Sequence, residues 1–208
     1  MWDTQQKIIK VEIIEEYARI ISIAFSPDNQ YIACGLIGAR IQIWNIIEES
    51  KEYYLSNHGG QVLVLLYSDD GKFIVSGLND GIINVWNCKE RKLEVSLTGH
   101  PTAVLILQFT CKFLISISSG LDIIFWNFEQ KREKFKLFKG LNLTSLFAIS
   151  HDQKYFVEIS FPPNLNIWKL QEHLEVNSLE KFISKSLPLK FADNGKYAVC
   201  GFEKMIKL

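Results

Sequence analysis

The five tryptophans of the chain stand at positions 2, 44, 86, 126 and 168, so successive ones are 42, 42, 40 and 42 residues apart. A second ruler agrees with the first. From each Trp to the residue closing the next apolar run, namely Phe25, Tyr67, Phe109, Ile149 and Phe191, the distance is 23 residues every time. Two regular intervals impose a repeat of about forty residues, and a repeat constrains the fold before any single residue does. The unit is clearest over residues 58 to 86. Val62 to Tyr67 is an apolar run of buried-strand length, Ser68-Asp69-Asp70-Gly71 has turn chemistry, and Phe73 to Ser76 is a second apolar run. Asn79-Asp80-Gly81 is a hairpin signal, Ile83-Asn84-Val85 alternates, and Lys92 to Leu97 supplies a fourth strand.

A four-stranded unit of this kind cannot bury both faces alone, so copies must stack around an axis as the blades of a β-propeller do. The expected fold class is therefore all-β, with about five four-stranded antiparallel blades of which the first and last are incomplete. The repeat units run over approximately 14–55, 56–97, 98–138, 139–178 and 179–208, preceded by a strand at 8–13, all in a single propeller region 1–208. The 40-residue spacing arises where Thr110-Cys111-Lys112 shortens the first turn of the third blade. The fourth blade diverges most, with Pro162-Pro163 in its second hairpin, and its spacing assigns Gln171 to Lys185 to strand and loop although the stretch also reads as a short amphipathic helix. The fifth stops at Leu208, one position before the next Trp is due. Two arrangements fit: part of a larger propeller, or a five-bladed ring closed by strand 8–13 pairing with Met205 to Leu208. The first is preferred because an open sheet edge is a liability.

At particular residues the pattern resembles the WD-repeat family. Leu97-Thr98-Gly99-His100 matches its Gly-His pair, Phe25-Ser26-Pro27-Asp28 its first turn, and Trp2-Asp3 its namesake dipeptide. Elsewhere the dipeptide has become Trp44-Asn45, Trp86-Asn87, Trp126-Asn127 and Trp168-Lys169. The resemblance implies a structural hydrogen-bond network in each well-kept blade, and the one complete set is His58, Ser76, Asp80 and Trp86. A partial set is His100, Ser116 and Trp126, with Gly120 where the Asp is expected. The first blade keeps only Trp44, having Glu16, Cys34 and Gly38 at the polar positions. In the fourth, Glu158 replaces the second-strand Ser, a costly burial unless it is paired.

Composition bounds the chemistry. Lys and Arg number 23 and Asp and Glu 23, so the formal net charge is zero, and no basic excess points to nucleic acid. The basic stretch Lys131 to Lys136 is interrupted by Glu133 and reads as a solvated outer edge. Four cysteines at 34, 88, 111 and 200 have neither metal spacing nor a paired framework and read as small apolar residues of a reducing, intracellular compartment, cytoplasm or nucleus. No metal site and no cofactor are expected, and no apolar run is of membrane-spanning length.

Function is argued from sites and not from fold. His58, Asp80 and Ser76 can be written as a hydrolase triad, but the resemblance puts them inside a sheet and no nucleophile elbow accompanies them, so no catalytic residue is nominated. The resemblance implies instead a non-catalytic scaffold that binds other proteins or peptides on the face formed by the loops before the first strand and between the second and third. Residues matching that face are Arg40, Asn57, Asn79, Pro101, Leu121, Phe161, Pro162 and Pro163. Phe161 is the most pointed of them, because contiguous apolar loop residues mark interfaces; a turn with Phe161 packed inward is the competing reading. A sensing region of a larger regulatory chain and a propeller enzyme are the alternatives.

Overall fold

A computed structural model describes residues 2–3, 8–9, 18–56, 59–110, 113–120, 122–130, 132–137, 147–150, 152, 154–160, 164–169, 174–179, 189–191, 197–202 and 205–207. Among these every regular element is a β-strand, and none is a helix long and apolar enough to cross a membrane. The short β1 (Trp2–Asp3) pairs antiparallel with β2 (Ile8–Ile9). Of the strand expected over 8–13, residues 10–13 lie outside the described residues.

Four sheets of four strands follow, each an antiparallel meander in chain order. The first is β3 (Ile20–Phe25), β4 (Tyr31–Leu36), β5 (Arg40–Asn45) and β6 (Ser50–Leu55). The second is β7 (Val62–Tyr67), β8 (Phe73–Leu78), β9 (Ile83–Asn87) and β10 (Lys92–Leu97). The third is β11 (Val104–Phe109), β12 (Phe113–Ser118), β13 (Ile123–Asn127) and β14 (Arg132–Leu137). The fourth is β15 (Phe147–Ile149), β16 (Tyr155–Ser160), β17 (Asn164–Lys169) and β18 (Leu174–Leu179), so Leu174–Leu179 is strand, as the repeat interval requires. Three further strands, β19 (Leu189–Phe191), β20 (Ala198–Phe202) and β21 (Met205–Lys207), form the last sheet. The all-β class and the four-stranded antiparallel units are thus as the repeat predicts.

The chain divides into two compact units, 1–119 with 124–134, and 120–123 with 135–208. In the first unit the core lies between successive sheets and repeats itself. One layer joins Ala33, Ile41, Ile43 and Leu55 of the first sheet to Leu65, Tyr67, Ile74 and Trp86 of the second. The next joins Val75, Ile83, Val85 and Leu97 to Leu107, Leu114, Ile124 and Trp126. Seven of the eight residues in the second list stand 40 or 42 positions after a member of the first, and the eighth, Ile124, stands 40 after Asn84, so the sequence period is a period of packing. The sheets approach closely because small residues stand at the contact. A Cβ on Gly35 would lie 2.8 Å from Cγ1 of Val62, and one on Gly77 would lie 2.7 Å from Cγ1 of Val104. The receiving strands carry a register break at the same step, between Ile20 and Ser22, Val62 and Val64, and Val104 and Ile106. Such bulges increase local twist.

The turn after the first strand is built by one device used three times. Ser68 Oγ donates to Asp70 Oδ1 at 2.8 Å and accepts from the Phe73 N–H at 2.9 Å, while Asp70 Oδ1 accepts from the Lys72 N–H at 3.1 Å. Ser26 with Asp28, and Ser150 with Asp152, repeat it. In the shortened third turn Thr110 Oγ1 accepts from the Phe113 N–H at 2.9 Å. These bonds hold Asp28, Asp70 and Asp152 below the usual carboxylate range, with Asp70, which also faces Lys72, at about 2. A carboxylate whose folded pKa is depressed contributes stability that is complete above its unfolded value and is lost as pH falls through the folded one. Acid therefore weakens these turns between about pH 4 and pH 2. Asp70→Asn should flatten the fall in unfolding midpoint over that window, by an amount that solvent screening keeps under about 1 kcal/mol.

Candidate functional site

The side chains singled out as a network divide between the inside of the sheets and their loops. In the third sheet Ser116, on β12, has no exposed surface and His100 is 7% exposed. Trp126 Nε1 donates to Ser116 Oγ at 2.7 Å, and Ser116 Oγ lies 2.6 Å from His100 Nε2. The hydroxyl accepts from the indole, and its bond to the ring nitrogen runs in the direction that the imidazole tautomer sets. His100 and Trp126 also meet edge to face, with ring centroids 6.4 Å apart. The bracket ties the loop before β11 to β12 and β13.

In the second sheet Trp86 Nε1 donates to Ser76 Oγ at 3.1 Å, and that hydroxyl points to the Asn84 carbonyl oxygen at 3.5 Å. His58 lies outside the described residues. Asp80 is exposed, and its Oδ1 accepts from the Ile82 N–H at 3.1 Å, a turn bond of its own. Ser76 is fully buried with its hydroxyl engaged, which is a bracket geometry and offers substrate no approach. In the first sheet Cys34 replaces the Ser and Glu16 lies outside the described residues. Cys34 is buried among Ile32, Leu36 and the flank of Trp44. Of Glu158 the structure describes only the backbone, paired with Phe147 and Asn166.

Two polar features escaped the sequence reading. The Asn that follows each Trp closes the turn between the third and fourth strands: Asn45, Asn87 and Asn127 accept through Oδ1 from the N–H of Glu48, Glu90 and Gln130 at 2.9–3.1 Å. Asn45 and Asn87 also donate through Nδ2 to Glu52 and Glu94, each at 3.2 Å. An Asp could cap the turn but could not donate. The drift from Trp-Asp to Trp-Asn is thus accompanied by glutamates spaced 42 apart, a signal that was present in the sequence. The second feature is Gln42, fully buried two residues before Trp44, with Nε2 donating to the Tyr53 carbonyl at 3.0 Å. A third difference concerns Lys136. Expected on a solvated edge, its side chain is only 12% exposed and pairs with Asp122 at 3.5 Å, because a half-buried carboxylate draws the cation inward.

Of the loop residues matched to an interface, Arg40, Asn79 and Pro101 are exposed. Arg40 opens β5, Asn79 lies between β8 and β9, and Pro101 precedes β11, so in these meanders all three stand at the same edge of their sheets. Asn79 is partly committed, since its Oδ1 accepts from the Gln61 N–H at 2.9 Å and ties the two loops of its sheet together. Asn57, Leu121, Phe161, Pro162 and Pro163 lie outside the described residues. Among the described residues no group of three or more His, Cys, Asp or Glu is arranged to hold a metal ion.

Stacked four-stranded meanders with a third-strand Trp bonded to a second-strand Ser define blades of the propeller type. The family model for the WD40 repeat (WD domain, G-beta repeat) matches residues 10–45 and 49–87, so these two stretches are similar to WD40 repeats. No curated protein matches it in sequence. WD40 repeats generally mediate protein-protein interaction or scaffolding and are typically not catalytic.

Proposed function

We propose that the chain is a non-catalytic scaffold that gathers other proteins on the loop edge carrying Arg40, Asn79 and Pro101. The observation that carries this reading is the division of labour described above. The hydroxyl and imidazole groups that chemistry would need, on Ser76, Ser116 and His100, are spent inside the sheets, while a cation, an amide and a proline stand exposed at one edge. Asn57, Leu121 and Phe161 to Pro163 occupy matching loop positions of the repeat in sequence. The free thiols of Cys34 and Cys88 support an intracellular setting.

Affinity capture from a cell lysate tests the reading when the unmodified chain is compared with Arg40→Glu combined with Pro101→Glu. At least one captured protein should fall by roughly fivefold or more, the size of a single hot-spot loss, with the unfolding midpoint unchanged. An identical capture profile from a folded double variant would remove this edge from the proposal.

A further inference from the structure

The first unit holds a cleft on its other edge. It opens between the first and second sheets, where the turns after β3 and β7 meet the turn after β9 and the middle of β6, and has a volume of about 620 Å³. That lies in the range of sites that enclose a small molecule or a few residues of peptide. Its wall is aromatic, formed by Tyr31, Tyr53, Tyr67 and Phe73. Burial pushes the Tyr53 phenol up to about 12 and that of Tyr67 higher still, and the Cys88 thiol up to about 11. The interior groups are therefore polar and neutral at physiological pH.

The charge around them is lopsided. The carboxylate of Asp28 acts on Tyr67, that of Asp70 on Cys88 and that of Glu52 on Tyr53, all in the direction that disfavours a further negative charge. The Arg91 guanidinium opposes them at Tyr53. Four carboxylates, Asp28, Glu52, Asp69 and Asp70, face three cations around the cleft: Lys72 closes a 2.9 Å ion pair with Asp70, Arg91 lies over the Tyr53 ring at 4.3 Å, and Lys89 is exposed. Asp69 stands exposed at the rim. Arg91 is itself an exposed residue of the β9–β10 turn, at φ 57°, so the face of Tyr53 takes a guanidinium that arrives from outside the sheet.

We propose that this cleft receives an arginine side chain from an extended segment of a partner protein, its guanidinium stacking on Tyr53 in the place of Arg91 and its charge met by Asp28 and Asp69. Arginine fits better than lysine because a planar cation matches a ring face, whereas an ammonium is a strongly hydrated point charge. The volume exceeds one side chain and accommodates the residues that flank it, which a protein segment supplies. The site is on the edge opposite Arg40 and Asn79 and is independent of the surface proposed there, so variants at one edge leave the other proposal standing.

Titration of the whole chain by nuclear magnetic resonance with the capped tripeptide acetyl-Gly-Arg-Gly-amide tests this, with Lys and Glu versions as comparisons. The arginine peptide should move the ring signals of Tyr53 and Tyr67 saturably, with a Kd on the order of millimolar. The lysine peptide should bind at least about threefold more weakly, in keeping with the loss of planar stacking. Tyr53→Leu should weaken arginine binding by roughly fivefold or more through loss of the cation–π face. Arg91→Ala, at an exposed position where folding is spared, should tighten it by about threefold, because the occupant that competes for Tyr53 is gone. Glutamate binding as well as arginine does, no saturable shift with any peptide, or weaker arginine binding by Arg91→Ala would each overturn the proposal.

Discussion

Gly81→Ala lowers the unfolding free energy by on the order of 3 kcal/mol, one of the two main effects expected on stability. Gly81 turns the chain between β8 and β9 at φ 88° and is buried. An L residue pays about 1–2 kcal/mol for such a conformation before any contact is considered. The contacts add to it. A Cβ there would run into the carbonyl oxygen of His100 and lie 2.9 Å from that of Thr102. Both are backbone atoms of the loop that leads into the third sheet, so neither can swing aside as a side-chain end would. Gly38, in the corresponding turn of the first sheet, is the control: nothing stands within 4 Å of a Cβ placed on it, and Gly38→Ala should change stability by no more than about 0.5 kcal/mol. Denaturant midpoints for the two variants decide the matter. Equal midpoints would show that the loop through His100 and Thr102 yields freely.

Ser116→Ala follows, with an expected loss of about 2–4 kcal/mol, because one oxygen serves two buried partners. Removing it takes an acceptor from the Trp126 N–H and the hydrogen-bond partner of His100 Nε2 from a buried place. The bracket can be told from simple loss of packing by a double-mutant cycle. Trp126→Phe removes the indole N–H, and in the Ser116→Ala background that N–H is already without its acceptor, so the two losses should sum to clearly more than the double variant shows. Strict additivity would sink the bracket as an energetic unit.

The fold was legible in the sequence because its signal is redundant. A Trp every 40 or 42 residues, an apolar run closing 23 residues later and a Ser-Asp turn all report the same strand order, and each corresponds to a repeated physical contact. The shortened turn at Thr110 was legible too, since a single hydroxyl bonded to the Phe113 N–H closes a tighter loop. The polar chemistry was harder to read. Asn45 and Asn87 read as decay of a dipeptide until the structure paired their amide nitrogens with Glu52 and Glu94, a relation across a hairpin that no one-dimensional motif displays. Lys136 was misread for a similar reason: a charge run along the chain does not tell which member faces a carboxylate such as Asp122. The cleft lined by Tyr31, Tyr53 and Tyr67 was invisible, because its walls come from two repeats and exist only where two sheets meet.

The glycines at 35 and 77 carry a consequence for how the first unit comes apart. Each admits a valine of the next sheet, Val62 against Gly35 and Val104 against Gly77, so each sheet is coupled directly to its neighbour. The second sheet is covered on both faces. On the first sheet Ile23 and Phe25, the counterparts of the buried Leu65 and Tyr67, are 59% and 45% exposed. The second sheet is thus held by two separate interfaces, and a substitution at Gly35 or Gly77 loosens one of them while the other stays packed.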